Sequence, residues 1–577
     1  MNTQYLDLME KTLSAYTDEH IIRYFNDVKK DGLKEHGFPR LTANIGILIA
    51  NGRRRDLLPL FCEMMELCCK TIPNVKAAND FSVREIICCL IEIEKNDIVD
   101  EKDVTRWKGY LSTIEPKTCY NRFAEKPTDA VRNWALFTGV SEYFRQSIGL
   151  CDSAEFIDIQ IAAQLQWIDE NGMYMDNDEE EMRQPIMYDI VARGLFSLLL
   201  YAGYRGKYYT AIDGLLKKSG LMTLKMQSTT GEMAFGGRSN QFLHNEAWLA
   251  MILEYEATRY QKEGDYTLAG KFKAGALRAL QLAKLWLAKN PITHVKNRFS
   301  IDSKYGCETY AYFDKYMITA ASFFYSASLF CDDTIQPIEE HEDPIIWSTS
   351  KYFHKTFVKT DEYSLEFDTN ADPHYDASGL GRIHKKGAPS VLCLSMPFTK
   401  APYYYCGNWI NSTEITIPPA GRQVNASQFS ICPAIKNEKG EWVYGADSRT
   451  QYTLIENQIK DGGAGVVFQC ILVNGAEVKF SCFVGENGVI LHADSATDKE
   501  IGITLPAFDF DGEKKTHSSY TKNKIEVEYE NWVCEYSSQN ITDLETYFAN
   551  RNGIYKGYVA TGKSSVELKI KIYPLNK

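Results

Sequence analysis

The sequence lacks the features that carry a chain into or across a membrane. No stretch approaches the run of about 18 apolar residues that a membrane-spanning helix needs. The first residues, MNTQYLDLMEKTLSAYTDEH, carry acids where a signal peptide has a basic stretch, and they contain no continuous apolar core. We therefore expect a cytoplasmic protein that is neither exported nor bound to a membrane.

Spacings typical of metal, nucleotide and disulfide chemistry are also missing. There is no CxxC pair, no cysteine and histidine cluster at zinc spacing, no phosphate-binding loop and no dinucleotide-binding glycine fingerprint after a strand. The 15 cysteines include two adjacent pairs, Cys68 with Cys69 and Cys88 with Cys89, inside apolar helical patterns typical of buried free thiols. We expect no cofactor and no metal. The net charge of −12 argues against nucleic acid and anionic membranes as partners.

The hydrophobic period changes once along the chain. A chain of 577 residues is too long for one ordinary core, so two or three domains are expected. Apolar residues recur at three- and four-residue spacing up to about residue 331, which predicts about 12 to 14 paired helices in a ring or solenoid. We predict an (α/α) toroid over residues 1–335 and a linker rich in acids and prolines over 336–355. The shift to period two predicts an antiparallel β-sandwich over 356–577.

The segment from Phe235 to Trp248, FGGRSNQFLHNEAW, concentrates hydrogen-bonding side chains at a predicted helix start. Ser239 is the expected N-cap, and the two glycines before it allow a close approach of the backbone to a neighbour. A helix start leaves N–H groups unpaired and carries a partial positive charge, so it favours a carboxylate or phosphate. Helical spacing places two pairs on shared faces, Asn240 with His244 and Gln241 with Asn245. The alternative is a solvated polar helix start without a ligand.

Two more strings accompany this segment, on either side of it. They are DENGMYMDNDEEEMRQPIMYDIVARGLFSLLLYAGYRG at 169–206 and DASGLGRIHKKGAPSVLCLSMP at 376–397. With the predicted domains, the three strings resemble the toroid polysaccharide lyases of the heparinase II/III and alginate lyase group. They are most similar to the lyases that cleave rhamnose from glucuronic acid at the tips of arabinogalactan-type glycans. The resemblance implies a β-elimination, and the missing export signal implies an oligosaccharide or small glycoside as substrate.

A uronate lyase removes the proton at C5 of the sugar and expels the group on C4. The site must neutralise the carboxylate beside C5, because negative charge develops there as the proton leaves. We expect Arg238 at this carboxylate and His244 as a base usable near neutral pH. The expected substrate-binding neighbours are Asn240, Gln241 and Asn245. The histidines outside polar or glycine-rich strings, His36 among them, are treated as ordinary.

Two earlier segments add candidates for the same site. In QPIMYDIVAR, Tyr188 is an expected acid or base, and Arg183 just before it is a second carboxylate ligand. A tyrosine packed in the core explains Tyr188 equally well. Asn133 and Trp134 combine an amide with an aromatic ring early in a helix, which suits a sugar. A buried tryptophan beside a capping asparagine is the alternative.

Later segments add weaker candidates. Tyr312 lies four residues before Tyr316 on one predicted helical face, although aromatic residues at helical spacing are more often core. In the β region, the resemblance implies that a histidine or tyrosine reaches the edge of the cleft. The residues that could do so or assist are His374, Arg382 and His384. A basic surface hairpin is the alternative for these three.

Two other functions stay open. A glycoside hydrolase on the same toroid needs a pair of carboxylates, for which the candidates are Asp176, Asp189, Glu246 and Glu308. A non-catalytic carbohydrate-binding protein is the second alternative. The lyase is preferred because the segment around Arg238 suits a bound anion better than a cationic intermediate. The expected partner is a uronic-acid-containing oligosaccharide or glycoside, and a homo-oligomer stays open.

Overall fold

The computed structural model describes residues 3–121, 124–128, 133–176, 182–299, 312–339, 343–399 and 424–575. Within these ranges, fourteen α-helices are followed by strands only. The helices are α1 (Thr3–Leu13), α2 (Asp18–Asp31), α3 (Gly37–Ala50), α4 (Leu58–Thr71), α5 (Val83–Lys95), α6 (Glu101–Ser112), α7 (Pro116–Cys119), α8 (Asn133–Ser147), α9 (Ala154–Leu165), α10 (Ile186–Tyr201), α11 (Tyr209–Met226), α12 (His244–Glu263), α13 (Tyr266–Leu287) and α14 (Phe313–Phe330).

Six of these helices close into an inner ring. Each of α3, α5, α8, α10, α12 and α14 packs against the next, and α14 packs back against α3. Other helices pack on the outside of this ring, with α4 on α3, α9 on α8, α11 on α10, α13 on α12 and α1 on α14. This alternation of inner and outer helices confirms the predicted (α/α) toroid.

Composition separates the two layers. The inner helix α3, GFPRLTANIGILIA, is buried at every position, as expected for a helix that is surrounded on all sides. The outer helix α2 instead has acids in its first turn, lysines in its last turn and an N-cap, Thr17, whose side chain accepts the N–H of His20. No helix in the described ranges is both long enough and apolar enough to cross a membrane.

The strands form three antiparallel sheets. They are β1 (Ile345–Ser348), β2 (Lys355–Lys359), β3 (Tyr363–Asp368), β4 (Gly379–Lys385), β5 (Pro433–Lys436), β6 (Trp442–Tyr444), β7 (Gln451–Lys460), β8 (Gly463–Ile471), β9 (Glu477–Gly485), β10 (Gly488–Asp494), β11 (Ile501–Phe510), β12 (His517–Thr521), β13 (Lys524–Tyr529), β14 (Trp532–Ser537), β15 (Ile541–Asn550), β16 (Gly553–Gly562) and β17 (Ser565–Pro574).

The sheet orders are β1-β2-β3-β4, β12-β13-β14-β17-β10-β9-β8-β7 and β15-β16-β11-β5-β6. The second and third sheets pack together through β10, β11, β16 and β17 around one apolar core. Burial alternates strictly along most of β17, so one face of that strand meets the core and the other meets solvent. These antiparallel layers are the predicted sandwich.

The predicted linker contains ordered sheet. β1 lies inside 336–355, and Ile345 pairs with Lys359 of β2 across an antiparallel ladder. The short apolar run IIWS is sufficient for an edge strand once β2 provides its hydrogen-bond partners. The segment predicted as a linker therefore includes a strand of the four-stranded sheet.

A buried charged side chain of the four-stranded sheet contacts the helical region. Arg382 of β4 is 2% exposed. Its guanidinium donates to the carbonyl oxygens of Met233 at 2.6 Å and Ser395 at 2.9 Å, and to the Glu366 carboxylate at 3.0 Å. One side chain of β4 thus joins β3 and the segment after β4 to a loop of the toroid.

We expect Arg382→Leu to lower the free energy of unfolding by about 3–5 kcal/mol, because it leaves the buried Glu366 carboxylate without its hydrogen-bonded cation. Arg449→Leu is the control, since Arg449 makes a comparable ion pair with Asp447 but is exposed. This control substitution should change the free energy of unfolding by no more than about 1 kcal/mol. Urea unfolding of both variants measures the difference, and equal stabilities would contradict a bracing role for Arg382.

Candidate active site

The N-terminal ends of the inner helices surround one cavity of about 390 Å³. Five of the six helices line it with a residue of the first turn or with the residue just before it. These are His36 before α3, Asn133 in α8, Tyr188 in α10, His244 in α12 and Lys315 in α14. Helix starts leave N–H groups unpaired and carry partial positive charge, so this end of the ring favours an anion.

Side-chain charge around the cavity has the same sign. Among the described residues that line it, Arg40, Arg238 and Lys315 are cationic and Asp176 is the one carboxylate. Arg40 is buried and held by Glu85 at 2.9 Å and by the Thr319 hydroxyl at 2.7 Å. A negatively charged ligand would therefore meet a net positive wall.

The segment 235–248 differs from the prediction in where its helix begins. Helix α12 starts at His244, and Ser239 has a φ of 69°, so Ser239 is not its N-cap. The backbone before the helix pairs instead with residues 294–296, where Leu243 donates to His294 and Lys296 donates to Gln241. Asn240 and Gln241 therefore lie before the helix. Contrary to the prediction from the sequence, they do not share a helical face with His244 and Asn245.

The two glycines of this segment permit a close approach, as predicted. Gly236 and Gly237 have φ values of 83° and 72°. A Cβ on Gly236 would lie 1.7 Å from Oδ2 of Asp376, and one on Gly237 would lie 3.1 Å from Cα of Pro185. The loop is thus held tightly between the β region and the start of α10.

Arg238 and Tyr188 meet at the cavity. The Arg238 guanidinium lies 4.8 Å from the centroid of the Tyr188 ring and is 40% exposed. The Tyr188 hydroxyl is 3.0 Å from the Ser239 hydroxyl. Both side chains therefore line the same cavity.

His244 lines the same cavity, and its imidazole is uncharged at neutral pH. Its ring stacks on Phe242 with centroids 4.9 Å apart. Burial, followed by the nearby charges of Arg40 and Lys296, lowers the pKa of His244 to about 3. Its Nδ1 has no hydrogen-bond partner among the described residues. The imidazole is thus in the form that can accept a proton, and a pKa this low makes it a weaker base than an ordinary histidine.

Three more predicted residues line the cavity, namely Asn133, Trp134 and Asn245. The Asn245 amide donates to the carbonyl oxygens of Ser239 at 2.8 Å and Asn240 at 3.0 Å, which fixes the turn before α12. The Trp134 ring meets Phe81 edge-on with centroids 4.7 Å apart. An aromatic wall of this kind suits the apolar face of a sugar ring.

Three predicted binding residues lie outside the cavity and connect the toroid to neighbouring segments. The Asn240 oxygen accepts from Arg551 of the β region at 2.7 Å, and its amide donates to Ala234 at 3.0 Å. Gln241 is buried and accepts the Lys296 N–H through its backbone oxygen. Arg183 donates to Asn370 at 3.2 Å. Their polar groups hold the fold around the site.

Four further predicted residues are not brought to this cavity. Tyr312 is 40% exposed and lines a separate cavity, and His374 is exposed on a loop. Arg382 braces the domain interface as described above. His384 is buried among the hydroxyls of Thr230, Ser228 and Ser395, at 2.8, 3.1 and 3.0 Å. No β-region histidine among the described residues lines the cavity.

The carboxylates proposed for a hydrolase are dispersed. Asp189 is buried in an ion pair with Arg193 at 2.7 Å, and Glu246 is paired with Lys296 at 2.9 Å. Asp176 lines the cavity, and Glu308 lies outside the described residues. The described part of the chain therefore presents no carboxylate pair there. It also contains no group of three metal-binding side chains placed to hold an ion.

Sequence reasoning missed three basic residues of the cavity, which are His36, Arg40 and Lys315. Arg40 had a signal, because it interrupts the apolar run of α3 and a charge in a buried helix needs partners. His36 had none, since it stands beside ordinary loop residues. It enters the site only because α3 belongs to the inner ring.

We expect Gly236→Ala to destabilise the protein and to reduce any activity at the cavity, because its Cβ would collide with Asp376. Gly264→Ala is the matched control. Gly264 has a similar φ of 86°, but a Cβ there would meet nothing within 4 Å, so only the backbone strain of about 1–2 kcal/mol applies. Thermal unfolding compares the two, and equal losses would contradict the close packing of this loop.

Stability should fall on acidification because of His244 and His384, since burial, the largest cause in each case, lowers both pKa values to about 3. The unfolded chain binds these protons below about pH 6.5 while the folded chain does not. Stability is therefore greatest above pH 6.5 and is lost as the pH falls toward 3. Replacing either histidine with glutamine should reduce this slope by up to about 1.4 kcal/mol per pH unit.

Urea unfolding at several pH values between 7.5 and 5 measures that slope. His517→Gln, an exposed change on β12, serves as the control and should leave it unchanged. Identical slopes in all four proteins would show that the two histidines are protonated in the folded state.

No family model matches the chain, and no curated protein matches its sequence. Solved structures are similar in the path of the chain. Heparinase III has a TM-score of 0.48 at 9% identity, covering 94% of this chain and 77% of its own. A mutant of heparan sulfate lyase HepC from Pedobacter heparinus has a TM-score of 0.46 at 10% sequence identity. The match covers 93% of this chain and 76% of that lyase. A chondroitin AC lyase mutant from Streptomyces coelicolor has a TM-score of 0.48 at 9% sequence identity. The match covers 98% of this chain and 82% of that lyase.

Proposed function

We propose that this protein is a carbohydrate lyase that cleaves a uronic-acid glycosidic linkage by β-elimination. The observation that carries the proposal is the cavity at the N-terminal ends of the inner helices, whose described lining has three cations and one carboxylate. Such a site stabilises a carboxylate and the further negative charge that develops on it when the C5 proton leaves. The cavity also falls within the usual size range of small-ligand sites.

Arg238 is the proposed carboxylate ligand. Its guanidinium is fixed on one side by the Tyr188 ring, yet 40% of the side chain stays exposed. An arginine can offer paired N–H groups to a carboxylate in one plane. Buried Arg40 adds positive potential without needing to touch the substrate, because its own N–H groups are held by the protein.

His244 and Tyr188 are the proposed proton-transfer groups. A neutral imidazole is the form required of a base, and phenols as a class carry a proton at neutral pH and can donate it. His244 takes the C5 proton, the C4–O bond breaks, and Tyr188 donates a proton to the departing oxygen. A double bond between C4 and C5 remains, conjugated with the carboxylate.

Glucuronate is the proposed uronic acid, with rhamnose or another sugar on its O4 as the leaving group. The support is the likeness of the sequence strings at 169–206, 235–248 and 376–397 to lyases of rhamnosyl-glucuronate. The proposed substrates are oligosaccharides and small glycosides.

Incubation with a rhamnosyl-glucuronate glycoside should release rhamnose and an unsaturated uronate that absorbs in the ultraviolet. Arg238→Met should lower kcat/KM by about 100- to 1000-fold, the usual loss when a group that stabilises developing charge is removed. The matched control is Arg205→Met, since Arg205 also stacks on a tyrosine, Tyr209, at 4.5 Å but lies outside the cavity. Its activity should be unchanged.

A substrate with fluoride in place of the O4 sugar separates the two proton transfers, because fluoride leaves without a proton. Tyr188→Phe should lose activity on the glycoside and retain it on the fluoride, whereas His244→Asn should lose both. Release of reducing sugar from uronides without ultraviolet absorbance would overturn the lyase proposal in favour of a hydrolase. Binding without turnover would leave a carbohydrate-binding protein.

A further inference from the structure

Asp176 occupies an unusual position for the one described carboxylate of an anion-binding cavity. It is 1% exposed and follows the turn between α9 and α10, in which Met175 donates to the carbonyl oxygen of Trp167 at 2.9 Å. A negative charge here repels the carboxylate that the cavity is proposed to bind. Its presence therefore needs a compensating role.

Asp176 contacts two other residues that line the cavity. Its Oδ1 accepts both the backbone N–H and the side-chain Nδ2 of Asn133, each at 2.9 Å. Its Oδ2 lies 3.5 Å from Nη2 of Arg238. One buried carboxylate thus lies between an amide on α8 and a guanidinium on the loop before α12. These segments are far apart in sequence but meet at the same cavity.

The contact with Asn133 has two effects. Asn133 is the first residue of α8, so its backbone N–H is one of the groups that the helix itself cannot satisfy, and a carboxylate at this end is stabilising. The same carboxylate takes one of the two N–H bonds of the Asn133 amide. This orients the amide, and the second N–H bond is left for a ligand in the cavity.

The contact with Arg238 is looser and acts on charge. At 3.5 Å the guanidinium and the carboxylate attract each other as opposite charges. Arg238 is 40% exposed, and holding a long exposed side chain in one rotamer costs conformational entropy, which an ion pair with a buried carboxylate helps to offset. Asp176 restricts that freedom from beneath the cavity while the Tyr188 ring restricts it from one face.

We propose that Asp176 is a positioning residue that aligns Asn133 and Arg238 as one clamp for the carboxylate of a uronic acid. The inference rests on the proposed function, since it specifies how that site recognises its substrate. It assigns Asp176 no contact with the substrate, because its Oδ1 is held by Asn133 and its Oδ2 faces Arg238. It also assigns Asn133 a direct role as the second carboxylate ligand.

A double-mutant cycle in ligand binding tests this inference. The probe is glucuronate itself, measured by calorimetry on the full chain, with turnover of the rhamnosyl-glucuronate glycoside as a second readout. Asp176→Asn and Arg238→Met should each weaken glucuronate binding about 10- to 100-fold, the range for a lost charge-assisted contact. The double variant should be no more than about threefold weaker than the weaker single variant, because both changes disable the same clamp.

Glucuronate methyl ester provides the readout that a merely structural role would not move. It lacks the carboxylate charge, so Asp176→Asn should change its binding less than threefold.

Asp169→Asn is the control for the turn, since Asp169 accepts the N–H groups of Asn171 and Met173 nearby and lies outside the cavity. It should bind both ligands as the wild type does. Asp176→Glu, which keeps the charge but displaces it, should weaken glucuronate binding with little loss of stability.

Two results would overturn the proposal while leaving the function intact. One is independent, multiplicative losses for Asp176→Asn and Arg238→Met in a protein that turns over the glycoside. The other is an equal loss for glucuronate and its methyl ester. Should Asp176→Asn not fold, the same comparison of acid and ester in Asp176→Glu decides between the two outcomes. A wild-type protein that neither binds glucuronate nor cleaves its glycosides would instead overturn the proposed function, and the clamp with it.

Discussion

Closure of the inner helices into a ring forces their N-terminal ends together. Once α14 packs against α3, the starts of five inner helices lie around one cavity, and their partial positive charges add there. The polar side chains nearby depend on this arrangement. His36, Asn133, Tyr188, His244 and Lys315 are distant in sequence and share a cavity only because each lies at the start of an inner helix.

The β region contacts the loop 235–240 through buried polar and charged side chains. Lys355 lies 3.6 Å from the Phe235 ring centroid and contacts Asp368 at 2.7 Å and Asp376 at 3.2 Å. Burial alone would lower the pKa of Lys355, but the surrounding carboxylates raise it, so the ammonium persists. Three of the six residues of this loop have a positive φ, and Ser239, which is not a glycine, adopts that conformation at a cost in free energy. The sheet supplies the buried contacts that offset this cost.

The sequence predicted the architecture better than the geometry of the site. Helical period followed by period two is a long-range pattern, and it correctly separated toroid from sandwich. The start of α12 was misplaced, because Ser239 is a good N-cap by residue type while pairing with residues 294–296 takes the backbone bonds that a helix would have used. His384 and Arg382 looked accessible in a glycine-rich string, although they are buried. No local pattern encodes which face of a strand meets another domain.

The same positive field explains both carboxylate binding and the state of the proposed base. Arg40 makes the cavity attractive to an anion and also, after burial, contributes most to lowering the pKa of His244. A cavity lined by more carboxylates would raise the pKa of His244 and would repel a uronate. An uncharged His244 and a bound carboxylate therefore both require a lining with few acids. The single described carboxylate is compatible with them because Asn133 and Arg238 counter its charge. A hydrolase needs a carboxylate that stays protonated beside one that does not, and a cation-rich wall favours ionisation of both.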